Sequence, residues 1–262
     1  MSLPRLLQRF SLLVDLSYAF KVAFLPTIKR IFHEPSLLLH PRTLSYIFMS
    51  HVWSFFGPCV DENSAAEKAK VITPYAQGVV LDVGAGHGHN IKYLDRARVT
   101  KYVALEPNVL MHPNIRRTAD AAGLNEADGN LVILACGAED TTSIMTPLGG
   151  YQPVDTVVST LTLCSVPEPQ RTIKSLVSDV LKPGGELLFF EHVQNSRPHI
   201  ARWQRFWSPL WSRTFGGCRL DRPTHVWVQE VGGWEKEEVW ASDGESEEHL
   251  FLHRSGRFVK SA

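Results

Sequence analysis

The sequence predicts an α/β fold: a doubly wound, mostly parallel seven-stranded sheet with helices on both faces. Three observations carry that expectation. Short apolar runs recur along the chain, helical patterns separate them, and the first run ends in an acid followed by alternating glycines. The runs cover residues 79–83, 101–105, 131–136, 154–159 and 186–192. A helical pattern from about 168 to 181 is stopped by Pro183-Gly184-Gly185. After the fifth run, residues 200–211 carry Trp203, Phe206, Trp207 and Trp211 on one side of a helix, a stripe that reads first as core and second as substrate wall. A short helix over 224–230, a strand over 235–241, an acidic loop over 243–249 and a last, antiparallel strand over 250–260 complete the chain.

The glycines define the first candidate site. Gly84, Gly86 and Gly88 let the chain turn sharply and approach a ligand closely, with a helix expected to follow. A dinucleotide fingerprint needs G-x-G-x-x-G, and its third glycine position is His89 here. Asp82, just inside the strand end, would repel a diphosphate but could help hold a cationic amino group. The pattern therefore suits S-adenosylmethionine, which carries an amino-acid tail and a sulfonium but no phosphate. Glu106 follows Asp82 by 24 positions, close to the roughly 20 at which doubly wound folds place a ribose ligand. Its two oxygens can accept from both ribose hydroxyls.

Leu81-Asp82-x-Gly84-x-Gly86-x-Gly88, Glu106-Pro107-Asn108, Ala138-Glu139-Asp140 and Leu181-Lys182-Pro183-Gly184-Gly185, in that order, resemble the motifs of the class I S-adenosylmethionine-dependent methyltransferases. The segments 160–166 and 190–193, with Trp203, Gln204, Trp211, Gly217 and Cys218, are similar to the subgroup that methylates small thiols. The acidic loop over 243–249 departs from that subgroup. The resemblance covers roughly residues 79–262. It implies that Gly84, Ala85, Gly86 and Gly88 wrap the methionine portion, with Asp82 near its amino group. It also implies that Glu106, Pro107 and Asn108 hold the ribose side, that Ala138 with Glu139 or Asp140 frames the adenine, and that Thr160 and Leu161 form the floor beneath the sulfonium. His87 is expected to contribute backbone contacts only.

The sulfonium methyl is already electrophilic, so alignment and exclusion of water matter most and a strong base is optional. The candidate base is His192, with Glu191 able to orient it; His51 is second, and a purely structural His192 is an equal reading. The expected activity is methyl transfer to a small, largely apolar acceptor, first a thiol. O- or N-methylation of a secondary-metabolite intermediate is the alternative. A methyltransferase fold acting as a cyclase or membrane-associated scaffold, and an NAD-linked oxidoreductase, are readings of other classes.

Composition agrees with one enzymatic unit. The 27 Lys and Arg balance the 27 Asp and Glu, so the basic footprint of a nucleic-acid binder is missing. Cys59, Cys136, Cys164 and Cys218 are scattered, without a C-x-x-C or H-x-x-x-H spacing, so neither zinc nor any other metal is expected and reduced cytosolic thiols are. Residues 1–70 read as an N-terminal helical lid or membrane-contact segment, and 71–262 as the methyltransferase domain. Residues 6–24 have helical apolar spacing broken by Arg9, Asp15 and Lys21, so a spanning helix is not expected, and the stretch makes no convincing signal peptide. Residues 43–60 carry Tyr46, Phe48, Trp53, Phe55 and Phe56 and read as helix over the active site. Two roles compete for this front segment: packing over the cofactor, and peripheral membrane contact, favoured by Arg5, Arg9, Lys21, Lys29, Arg30 and Arg42. The resemblance to thiol methyltransferases implies the cytosolic face of the endoplasmic reticulum. Oligomeric state and acceptor identity are not encoded in any pattern of this chain.

Overall fold

Strands β1 (Gly78–Val83), β2 (Val99–Leu105), β3 (Leu131–Leu134), β4 (Val154–Thr160), β5 (Leu181–Val193), β6 (Trp234–Trp240) and β7 (Leu252–Lys260) form one sheet, in a computed structural model that describes residues 10 and 12–262. Their spatial order is β3-β2-β1-β4-β5-β7-β6. The first five run parallel, and β7 lies antiparallel between β5 and β6. The order reverses between β1 and β4, and such a switch point opens a crevice at the carboxyl ends of the strands.

Side chains alternate across each strand, so each strand serves two cores. Leu81, Val83, Val103, Val157, Leu187 and Phe189 face one side, against Ile173 of α6 (Pro169–Ser175) and Val228 of α8 (Thr224–Val231). Val80, Tyr102, Ala104, Val158 and Leu188 face the other, against Val71 and Ile72 of α3 (Ala65–Ile72) and Ile115 and Ala119 of α4 (His112–Ala121). This two-sided burial is why the parallel strands read as continuous apolar runs.

Two expectations are corrected. The glycine loop is followed not by an α-helix but by one 3-10 turn, His89–Tyr93, which ends where Leu94 turns extended. Only residues 89–98 separate the loop from β2, and the Asp95 side chain accepts from the Ala97 amide and bends this stretch further. Likewise, Pro183-Gly184-Gly185 does not separate helix from strand. The helix has already ended in a π turn, Leu176–Val180, and β5 begins at Leu181, which pairs with Val154. The register then jumps to Thr156 opposite Glu186, so residues 182–185 loop out of the strand as a bulge.

The front of the chain forms α1 (Leu12–His33) and α2 (Pro41–Asn63); residues 6–9 and 11 of the expected first helix lie outside the described residues. Leu12 and Leu16 pack with Ile200, Trp207 and Trp211 of α7 (Pro198–Thr214), and Ala19 and Ala23 pack with Val52 of α2. The aromatic stripe on α7 is therefore core, with Phe206 left exposed. Among the described residues no helix is long and apolar enough to cross a membrane.

Candidate functional site

A cavity of about 520 Å³ opens at the switch point, over the carboxyl ends of β1, β2 and β4. Its first wall is the glycine loop. Gly84 and Gly86 have φ of +69° and +57°, in the left-handed region that side chains avoid. Space forbids side chains too: a Cβ on Gly84 would lie 2.4 Å from Thr162 Oγ1, and one on Gly86 would lie 2.6 Å from Trp53 Nε1. The amides of Gly84 and Ala85 donate to the Leu105 carbonyl, which fixes the loop across β2. Ala85 borders a smaller hollow on the far side of the loop, and Gly88 lines neither space, serving instead as the left-handed start of the 3-10 turn.

Glu106, at the end of β2, is the anchor of the second wall. Its Oε2 accepts from the Gly86 amide at 2.9 Å and its Oε1 from the Asn108 amide at 2.8 Å, so the carboxyl group is held in one orientation facing the cavity. Burial pushes its pKa up to about 7, against the pull of those two amides. Pro107 and Asn108 line the same side. Asn108 also donates to the Tyr46 carbonyl at 2.9 Å, which joins this wall to α2.

Asp82 does not line the cavity. It is fully buried beneath the loop, accepting from Tyr102 Oη at 2.5 Å and from Asn90 Nδ2 at 2.9 Å, and burial raises it to about 6. The same Asn90 nitrogen lies 2.9 Å from Thr160 Oγ1. Asp82 thus reaches the cavity only through Asn90 and the cavity-lining Thr160. Ala138 and Glu139 line the cavity, whereas Asp140 caps the helix α5 (Thr141–Met145) by accepting from the Ser143 amide and hydroxyl. Of the two acids expected near adenine, only Glu139 borders the space. Leu161 sits on the floor beside Thr160 with φ of +55°, a left-handed conformation for a bulky side chain.

The remaining wall comes from segments whose part the sequence conceals. Ser45, Tyr46, Met49 and Trp53 of α2 face Phe215, Gly216 and Gly217 beyond α7, with Ser165 and Val166 after β4. The aromatic run over 43–60 pointed to α2, and Gly217 entered through the resemblance, but nothing marked Phe215 or Gly216. The buried Trp53 Nε1 has no hydrogen-bond partner, and it stands over Gly86.

His192 and Glu191 do not line the cavity, and neighbouring positions on β5 send them to opposite faces. Glu191 Oε1 accepts from Ser159 Oγ and from the amides of Thr162 and Leu163, which fixes the loop after β4. No hydrogen bond joins it to His192, whose Nε2 lies 3.0 Å from Cys218 Sγ. His51, half-buried on α2, is also outside the cavity lining. His87 is held down to about 4 by burial and by neighbouring His89, and its carbonyl accepts from Thr118 Oγ1.

Residues 61–231 match the family model described as a methyltransferase domain, and the chain belongs to that family. It is 34% identical over 148 residues to the rat protein thiol S-methyltransferase TMT1B, a match covering 55% of each chain. It is 33% identical over 181 residues to human thiol S-methyltransferase TMT1A, covering 64% of this chain and 67% of that one. The chain thus spans about half the length of the rat relative. Among solved structures, an O-methyltransferase family protein from Burkholderia thailandensis superposes with a TM-score of 0.56 at 17% identity, covering 89% of this chain and 62% of that one. That likeness concerns the fold.

Proposed function

We propose that this chain is an S-adenosylmethionine-dependent methyltransferase acting on a small, largely apolar thiol. The observation that carries the reading is Glu106: a buried carboxylate, fixed by two backbone amides, facing a cavity beside a glycine loop that leaves no room for side chains. The residues fit the donor. Glu106 would accept from the ribose hydroxyls, Ala138 and Glu139 would border the adenine, and Trp53 Nε1 would find in the amino-acid carboxylate the acceptor it lacks. Bound there, S-adenosylmethionine supplies an electrophilic methyl group.

The acceptor class follows from what the lining can do. The described residues that line the cavity include no His, Lys, Cys or Asp, and its two carboxyl groups, Glu106 and Glu139, are taken up in this reading by the ribose and the adenine, which leaves the acceptor side without a general base of its own. A thiol, with a reference pKa of about 8.5, supplies its own thiolate, whereas an aliphatic hydroxyl would need help. Arg42 at the rim favours an anion, and Met49, Val166 and Phe215 favour an apolar body. Both relatives carry thiol S-methyltransferase in their names.

The test is release of S-adenosylhomocysteine with a panel of thiols, amines and phenols. Thiols are expected to give product, with a rate that climbs as the thiol ionises. Faster transfer to amines or phenols would move the acceptor to O- or N-chemistry. Tight donor binding without product from any acceptor would favour the cyclase or scaffold reading.

The same proposal includes peripheral membrane contact, the route by which an apolar acceptor would arrive. Leu13, Val14, Tyr18, Phe24, Leu25 and Phe32 of α1 are exposed, and Lys21, Lys29 and Arg30 interleave with them. The full chain should co-sediment with anionic vesicles, and Phe24→Glu with Leu25→Glu should reduce this at least tenfold. Equal sedimentation of both would reject the contact, and with it a place on the cytosolic face of the endoplasmic reticulum.

A further inference from the structure

Cys164, His192 and Cys218 come from three segments far apart in the chain, yet they meet behind the acceptor wall. Cys164 Sγ lies 3.5 Å from Cys218 Sγ, and His192 Nε2 lies 3.0 Å from Cys218 Sγ. The three ligand atoms all fall within 4.8 Å of one another. We propose that they form a binding site for a thiophilic closed-shell cation, Zn²⁺ or Cu⁺, which clamps the loop after β4 to the loop after α7.

The donor set selects that chemistry. Two sulfurs and an imidazole are soft to borderline ligands, preferred by Zn²⁺ and Cu⁺ over oxygen-seeking ions. An ion bound at 2.0–2.3 Å from each atom needs ligand atoms about 3.5–3.8 Å apart, and the two measured separations are within about half an ångström of that range.

The surroundings point to a ligand as well. His192 is 4% exposed, its Nδ1 has no hydrogen-bond partner, and its Nε2 meets only sulfur. Buried imidazoles are ordinarily better satisfied. Glu191, the nearby acid, is committed to the Thr162 and Leu163 amides and does not compete. Arg222 Nη1 donates to the carbonyls of Cys164 and Val166 at 2.7 and 2.8 Å, so the Cys164 loop is held rigidly with a cation close to the two sulfurs. That charge can offset the negative balance of two thiolates around a monovalent ion.

The position has a consequence for the cavity. Ser165, next to Cys164, and Gly217, next to Cys218, both line it, and a Cβ on Gly217 would lie only 3.2 Å from the Ser165 carbonyl. A cation on the sulfurs would therefore lock the two loops that form the acceptor side. With three protein ligands the fourth position stays open to water, as in Cys₂His zinc sites.

The test uses the reduced, chelator-stripped full chain, titrated with Co²⁺ as a spectroscopic stand-in for Zn²⁺, and separately with Cu⁺ buffered by a chelator. The expected result is one equivalent per chain, thiolate-to-cobalt charge-transfer absorption that Zn²⁺ displaces, and none in the double variant C164S/C218S. The arm with the tighter binding identifies the ion. A second measurement needs no variant. Bound metal should slow maleimide labelling of half-buried Cys218 at least tenfold and leave exposed Cys59 unaffected. Unchanged labelling, binding retained by the double variant, or a Cys164–Cys218 disulfide in a chain that takes up no metal would each overturn the site.

Discussion

The two sides of the cavity are built by different means. The side proposed for the donor, from the glycine loop to Glu106 and Asn108, is fixed by backbone amides and strand ends, so its polar groups have little freedom to move. The side proposed for the acceptor brings α2 against residues 215–217 and the loop after β4, and it is mostly apolar. Rigidity suits a donor that is the same in every turnover, and a surface of Met, Phe and Val suits acceptors of varied shape.

The comparison breaks most visibly at Gly86. Gly86→Val combines a forbidden φ with a Cβ in the place of Trp53 Nε1 and should weaken S-adenosylmethionine binding by more than 100-fold in calorimetry. Loss of Trp53 alone would not reproduce this. Glu106→Ala should follow, at roughly 10- to 100-fold, the range for a lost charged hydrogen bond. An affinity within twofold of the parent would remove Glu106 from the donor site.

Glu106 also sets a pH dependence with a defined sign. Its pKa stands near 7 in the fold against an ordinary 4.5, so the folded chain holds a proton there that the unfolded chain releases. This contribution to stability is fully present below 4.5 and is lost as pH rises through about 7. Donor binding runs the other way, because the ribose needs an ionised acceptor. Affinity should fall about tenfold for each pH unit below 7, and Glu106→Gln should flatten that slope.

The acceptor side should respond in KM for the thiol and not in donor affinity. Met49→Ala is expected to raise that KM roughly tenfold, the scale of a few lost apolar contacts. A matching loss of donor affinity would mean the two sides are not separable. The smallest effect belongs to Asp140→Ala, which removes a helix cap, lowers the melting temperature by a few degrees and leaves donor affinity unchanged.

The same contrast governs what could be read from the sequence. Strands buried on both faces leave unbroken apolar runs, and left-handed turns leave glycines, so the sheet and Gly84, Gly86 and Glu106 were legible. Asp82 was legible as a strand-end acid, but its bonds to Tyr102 and Asn90 depend on residues brought in from β2 and the 3-10 turn. Asp140 followed Glu139 in a promising turn, yet capping, a purely local demand, claimed it. His192 and Glu191 looked like partners because they are adjacent, and strand pleating separated them. The cysteines show no metal spacing in the sequence, and the meeting of Cys164, His192 and Cys218 draws on β5 and two loops, which leaves no local signature.

The bulge, the loops and the cavity all rest on a sheet whose final strand is inserted and not appended. β6 precedes β7 in the chain but pairs with no other strand in the sheet, and β5 has nothing on that flank until the same segment arrives. During synthesis, a nascent chain would expose one edge of β5 and an unpaired β6 until residues 252–260 clear the ribosome. Damage to this stretch would free one edge of β5 and the whole of β6 at once.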